Sequence, residues 1–302
     1  MQKMNDRFDE LFSSMKKAAS LTEEYLISTF GEVDEDTKSV EDSMKYSLFA
    51  GGKRIRPYLA LEICKLFGGE EKSALPFAAA LEMIHTFSLI HDDLPTMDDD
   101  SMRRGKPTNH VVFGEATALL AGDALALKAF GVAASNPYVS SEVCLLAVKA
   151  LSFAAAERGM VGGQIIDMKG EEKHLGFDEL KKLQALKTGA LIEVSARLGA
   201  YAAGVFDGDK RMEDAIRYAR GIGLAFQIKD DILDVTGDEA LLGKPIGSDA
   251  VNSKSTFLTY MTIEEAEKYA LSLTDEAKNA ILGYEGAENL LSLAHYLLIR
   301  ES

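Results

Sequence analysis

Tryptophan is absent from this sequence, and cysteine, histidine and proline are sparse, with two, five and six copies in 302 residues. The two cysteines, Cys64 and Cys144, stand alone in apolar segments, so neither a CxxC redox pair nor a thiolate zinc site is available, and both read as reduced core residues. Basic charge is also short: 33 Lys and Arg face 48 Asp and Glu, a formal net charge of -15. That balance excludes a surface built for nonspecific nucleic-acid binding, which needs clustered cations. No uninterrupted apolar run of about 18 residues suggests a membrane span. The opening MQKMNDRFDE carries acids where a secretory signal would begin basic. A cytoplasmic protein is expected. Fixed-period repeats, low-complexity tracts and long Pro/Gly/Ser linkers are missing too, so the length is read as one domain, 1–302.

What is present is apolar residues at helical spacing. Phe8, Leu11, Phe12 and Met15 lie at i, i+3, i+4 and i+7, the stripe of a helix with one buried face. Pro57 suits the first turn of a helix through PYLALEICKLF, and Gly68 and Gly69 suit its end. Further helices are predicted over 74–93, 114–133, 140–168, 177–203, 211–235, 263–275 and 285–299. Strand-like alternation is scarce. Ala-rich, Gly-interrupted stretches such as FAAALEMIH let helix axes approach closely, so the fold is expected to be all-α, a large packed bundle.

Two acidic clusters stand out. Residues 91–106, HDDLPTMDDDSMRRGK, place five aspartates and two arginines beside an apolar helix. Such a run is either a solvated helix end or a site for a hard divalent cation. The second cluster, FQIKDDILDV, holds Asp230, Asp231 and Asp234 in an amphipathic helix, with Asp230 and Asp234 at i, i+4 on one face. Like charges at that spacing repel, so the face meets water or holds a cation; the apolar neighbours and the presence of two clusters favour the cation. Magnesium fits carboxylates without a His and Cys set, and it is commonly completed by substrate phosphates. A diphosphate substrate is therefore expected. Asp92 and Asp98 are six apart and off one helical face, so the chain near Pro95 must distort or leave the helix for both to reach one ion cluster.

Three basic sets could hold phosphate: Lys53 and Arg56 in GGKRIRP, Arg103 and Arg104 in MRRGKPT, and Lys187, Lys229 and Lys244 further on. GGK is no nucleotide P-loop, because Arg54 stands where Ser or Thr would and no strand leads in. His85, seven before Asp92, returns to nearly the same helix face about 10 Å away. It is either a core histidine or a link between two phosphate pockets.

On these residues the chain resembles the trans-polyprenyl diphosphate synthases, and among them the bacterial farnesyl diphosphate synthases. GGKRIRP, DDLPTMD followed by RRGKPT, GQIID, KTG, FQIKDDILD and GKPIGSD occur in family order over nearly the whole length. The resemblance implies an isoprenoid synthase helical bundle around a deep central cavity, usually a homodimer, with three magnesium ions holding the allylic diphosphate. It assigns Asp92 and Asp98 as metal ligands on one side and Asp230 on the other, with Asp93 and Asp234 supporting and Asp167 as an additional ligand. Arg103, Lys187, Thr188, Gln227 and Lys244 would bind the allylic diphosphate; Lys53, Arg56, His85 and Arg104 would bind isopentenyl diphosphate. The implied reaction is metal-assisted ionisation, attack by the isopentenyl double bond and proton loss to the released diphosphate.

For product length, the resemblance points to the residues just before the first aspartate, Phe87 and Ser88, as the floor of the hydrophobic tunnel. A bulky Phe87, five before Asp92, favours farnesyl diphosphate over geranylgeranyl diphosphate, and geranyl diphosphate stays a third option. An HD-type phosphohydrolase could begin from His91 and Asp92, but His85, His110, His174 and His295 offer no metal spacing to complete it. A terpene cyclase would not need a second diphosphate site, and a catalytically silent regulatory subunit would not need both acidic motifs.

Overall fold

The structure is a computed structural model that describes residues 2–237 and 255–300. Among the described residues it is almost wholly helical. The helices are α1 (Gln2–Ser28), α2 (Lys38–Leu48), α3 (Ile55–Leu66), α4 (Glu71–Asp92), α5 (Asn109–Phe113), α6 (Glu115–Ala134), α7 (Ser141–Ala155), α8 (Met160–Glu172), α9 (Phe177–Gln184), α10 (Ala190–Ala202), α11 (Lys210–Thr236), α12 (Ile263–Ile281) and α13 (Glu288–Ile299). A π turn, Ala185–Gly189, joins α9 to α10, and a 3-10 turn, Phe257–Thr259, precedes α12. The two-stranded hairpin of β1 (Met102–Arg103) and β2 (Lys106–Pro107) pairs antiparallel, Arg103 opposite Lys106.

α4 is the axis of the bundle. It packs on α6, α3 and α10, while α11 packs on α12 and α10. Phe77, Ala78, Ala79, Ala80, Leu81, Met83 and Ile84 of α4 are fully buried, so its apolar residues point all round, as a central helix requires. Small residues set the spacing. A Cβ on Gly199 of α10 would overlap the Ala60 carbonyl of α3, and one on Gly221 of α11 would lie 2.8 Å from the Leu273 carbonyl of α12. α4 and α6 are both long and apolar enough to cross a membrane, but 72% of the apolar window of α4 is buried inside the bundle against 33% for α6. α4 is therefore core, whereas α6 keeps an apolar outer face.

The sequence-based helices differ from these in several places, and the one expected to end at 275 runs on to Ile281. The stretch expected as one helix over 140–168 is two, α7 and α8. They break at a corner by Gly159 that is so tight that a Cβ there would overlap the Ala154 carbonyl, and glycine is what allows it. The helix expected from 74 begins at Glu71 and carries Pro76 inside it. The short α2 and the hairpin had no periodic signal long enough to announce them.

Candidate active site

The first acidic cluster is built by ending a helix. α4 stops at Asp92, and the following turn folds back so that the Asp98 amide donates to the Asp92 carbonyl at 2.9 Å. The Met97 and Asp99 amides both donate to the Leu94 carbonyl, at 2.8 and 3.2 Å. The chain thus leaves the helix through Pro95, as the six-residue spacing demanded, and Asp92 and Asp98 share one compact turn. Burial pushes the Asp92 carboxyl up to about 6; Lys187 and Arg103 oppose that rise, and Asp98 and Asp93 add to it. A half-buried carboxylate raised by burial and carboxylate neighbours is what a hard cation would relieve.

Asp93, one step on, is almost fully buried and is gripped by Arg103, whose Nε lies 2.7 Å from Oδ1 and whose Nη2 lies 2.6 Å from Oδ1. This pair ties the hairpin to the end of α4. In the hairpin, Arg104 (φ 52°) and Gly105 (φ 73°) are both left-handed, the backbone of a type I′ turn. The Arg104 guanidinium donates to the Gly51 carbonyl and stacks over Gly52, where a Cβ would come within 2.8 Å. Arg54, Asp99 and Arg104 are the non-glycine residues with positive φ among the described residues, and all three flank this region. Sparsely populated backbone conformations collect where a site must be held in shape.

The isopentenyl residues expected from the resemblance come together. A cavity of about 530 Å³ is lined by Lys53, Arg56, His85 and Arg104, with Arg54, Glu82 and Phe226 completing its wall. Burial, then Arg56, Arg104, Arg103 and Arg54, hold the His85 imidazole well below its ordinary pKa, so it is neutral at pH 7. Arg56 presents a buried Nε with no hydrogen-bond partner. A cavity with several cations, a neutral imidazole and an unsatisfied guanidinium nitrogen is chemically set for a multivalent anion. Arg54 was not singled out from sequence. It bonds Glu82, Glu23 (2.9 Å) and the Leu48 carbonyl (2.6 Å), and so fixes the glycine loop from behind.

Lys187 and Thr188 sit in the π turn, with Lys187 near enough to Asp92 to oppose its raised pKa. A π turn widens the helix by one residue and re-aims the side chains it carries, and such turns recur at functional sites. Lys187 Nζ meets Asp167 of α8 at 2.5 Å, and Thr188 Oγ1 donates to Gln227 Oε1 of α11 at 3.2 Å. Gly163 permits the close approach of α8, since a Cβ there would overlap the Lys187 backbone. Asp167, assigned as an additional ligand, is therefore ion-paired to Lys187. Lys244 lies outside the described residues; Lys229 is half-buried on α11.

The second acidic cluster is not a bare row of like charges. Asp230 is paired at 2.5 Å with Arg300, whose side chain is 6% exposed and which also donates to the Phe226 carbonyl at 3.2 Å. Asp231 accepts the Phe257 amide at 2.7 Å, and Asp234 is 2% exposed. Arg300 was the missing counter-charge, 70 residues away along the chain. Lys53 senses both members of that pair: burial and Arg300 lower its pKa, and Asp230 opposes them. Among the described residues no three His, Cys, Asp or Glu side chains converge as a ready-made cage. Magnesium rarely uses one, being held by one or two carboxylates and by substrate phosphates. The oxygen-only donors Asp92, Asp98 and Asp230 fit that ion.

Phe87 and Ser88 lie one turn before Asp92 on α4. Phe87 is half-buried against the core, and Ser88 Oγ donates to the His85 carbonyl at 2.9 Å.

Comparison with known proteins agrees with this architecture. Residues 37–281 match the family described as Polyprenyl synthetase. The chain is 46% identical to the geranylgeranyl diphosphate synthase of Cyanophora paradoxa, over 87% of this chain and 88% of that protein. It is 42% identical to the farnesyl diphosphate synthase of Bacillus subtilis, over 95% of this chain and 96% of that one. The crystal structure of an FPP/GFPP synthase from Zymomonas mobilis superposes with a TM-score of 0.85 at 35% identity, covering 96% of this chain and 99% of the other. The chain belongs to the polyprenyl synthetase family and has its all-α isoprenoid synthase fold.

Proposed function

We propose that this protein, acting as one domain, is a prenyltransferase that joins isopentenyl diphosphate to dimethylallyl or geranyl diphosphate and releases farnesyl diphosphate. The observation that carries the reading is the cation-lined cavity of Lys53, Arg56, His85 and Arg104 beside the end of α4, a second anion site separate from the acidic clusters. One diphosphate site would suffice for a hydrolase or a cyclase. Two are needed to hold a nucleophilic isoprenoid next to an allylic one.

Asp92, Asp98 and Asp230 would hold magnesium, three ions with bound diphosphate, and Asp93, Asp234 and Asp167 would support them. When bound, the metal supplies positive charge to the departing diphosphate. The chain's own residues do the rest. Arg103, Lys187, Thr188, Gln227 and Lys244 orient the allylic diphosphate; the neutral His85 donates a hydrogen bond without adding charge to an already crowded cation group. The apolar flank of α4 keeps water from the reacting carbons, and the released diphosphate is the acceptor for the lost proton. Neither nucleophile nor acid/base pair is required of the protein.

Farnesyl length is supported by Phe87, whose ring fills space one turn below the first aspartate; relatives named for both farnesyl and geranylgeranyl products make chain length the point to test. Leu119, Leu120 and Leu127 of α6, Leu145 and Phe153 of α7 and Val161 and Ile165 of α8 are exposed apolar side chains on three successive helices, and they would suit contact with a second copy of the chain. The deciding experiment incubates purified protein with magnesium, isopentenyl diphosphate and, separately, each allylic starter, with an EDTA control and mass-spectrometric product identification. Farnesyl diphosphate from both, abolished by EDTA, is expected. A longer product overturns the length assignment, and no condensation overturns the reaction.

A further inference from the structure

His91, the residue before Asp92, has no part in either diphosphate site, yet the structure has cleared a seat for it. Gly122 lies in the interior of α6, where glycine is intrinsically a poorer helix former than alanine. A Cβ at that position would overlap Nε2 and Cδ2 of the His91 ring. The seated imidazole lies 3.0 Å from the Leu119 carbonyl through Nε2. A carbonyl only accepts, so Nε2 carries the hydrogen and the ring orientation is fixed. Asp123 Oδ1, 3.8 Å from the same nitrogen, is beyond hydrogen-bond reach.

The other side of this ring meets Phe87. The two are at i and i+4 on one face of α4, with ring centroids 5.6 Å apart and an interplanar angle of 78°, an edge-to-face contact. Phe87 is only half-buried, so core packing alone does not lock it. Pinned to the backbone of α6 and seated on Gly122, the imidazole is the rigid element against which the phenyl ring rests.

We propose that His91 is a positioning residue for product chain length, clamping the Phe87 ring in place, with Gly122 as its socket. This rests on the reading that Phe87 floors the product tunnel. Released from the clamp, the ring gains rotamers that swing it aside, and an extra five-carbon addition becomes possible.

The test measures the ratio of longer to farnesyl product by mass spectrometry for wild type, Phe87→Ala, His91→Ala, His91→Gln, Gly122→Ala and the double variant Phe87→Ala/His91→Ala. Only folded, active enzyme makes product, so the ratio is insensitive to a loss of folded protein. His91→Ala is expected to raise the ratio about tenfold, the upper size of an aromatic edge contact expressed as a population ratio. His91→Gln keeps a donor for the Leu119 carbonyl but loses the ring edge, and is expected to raise it as well. Gly122→Ala unseats the ring from the other helix and is expected to change the ratio at least threefold, and the double variant should exceed Phe87→Ala by less than twofold. If Phe87→Ala lengthens the product while the His91 and Gly122 variants leave the ratio at the wild-type value, the clamp is refuted and the tunnel floor stands. If Phe87→Ala leaves the ratio unchanged, the floor itself is refuted and the clamp with it.

Discussion

Replacing Asp92 by asparagine should make the metal-free protein more stable while destroying its activity. Burial raises the Asp92 pKa from an ordinary 3.8 to about 6. The folded state therefore binds this proton more tightly than the unfolded chain, and ionising the group costs stability. The cost is absent below the unfolded value, grows as pH rises between the two, and is complete above about pH 6. A shift of roughly two units corresponds to about 3 kcal/mol at most, and partial solvent access to the turn reduces that to about 1–2 kcal/mol. Asparagine keeps the shape without the charge. Urea denaturation in EDTA should therefore show a higher midpoint for Asp92→Asn at pH 7.5, with the advantage shrinking as pH falls below about 6 and vanishing only below the unfolded value of 3.8. With magnesium and diphosphate added, wild type should be stabilised and the variant should not. A variant less stable than wild type at pH 7.5, or a gain that does not change with pH, would refute the reasoning.

Three further outcomes are expected. Asp230→Ala should lower turnover by at least about 100-fold, as for loss of a charge stabiliser in the transition state, and near-normal turnover at saturating magnesium would remove Asp230 from the metal site. Arg54→Met should cost about 3–5 kcal/mol, read by thermal or denaturant unfolding, because it strips the 2%-exposed Glu82 of the guanidinium that bonds it; a change under about 1 kcal/mol would show that Arg56 and Arg104, which also sense Glu82, take over that charge. If the chain is the dimer proposed above, Leu127→Arg, at a side chain 73% exposed on α6, should convert it to a monomer in analytical ultracentrifugation, and a wild type that sediments as a dimer with an unchanged variant would move the interface off this face.

The long helices were legible because their apolar residues repeat at a period that does not depend on what they pack against. Asp92 and Asp98 were also legible, down to the exit from the helix near Pro95, since six residues cannot share a helical face. Harder to see were features defined by two distant segments. Nothing near Asp230 reveals Arg300, and nothing near Glu82 reveals that Arg54 will turn inward to pair with it. The break between α7 and α8 was hinted at by Gly159, Gly162 and Gly163, but periodicity continues across it, and only the folded backbone shows a corner so tight that a Cβ at Gly159 would overlap the Ala154 carbonyl. Arg103 was placed with the allylic diphosphate from its motif. Its bidentate hold on Asp93 depends on a two-residue hairpin too short to leave a pattern.

The π turn at Ala185–Gly189 has a consequence for how this sequence can change. It accommodates one more residue than an α-helix of the same rise, and each residue of an α-helix turns the chain by about 100°. Deleting a single residue there would not merely shorten a loop. It would let the rod from α9 to α10 close into regular α-helix with its two ends still in register, while the side chains within the former bulge re-aim by about one position, about 100°, carrying Lys187 away from Asp167. Substitutions in this segment are graded in effect, but changes of length are all or nothing, so the register of KTG relative to α10 is fixed by geometry even where the identity of a neighbouring side chain is not.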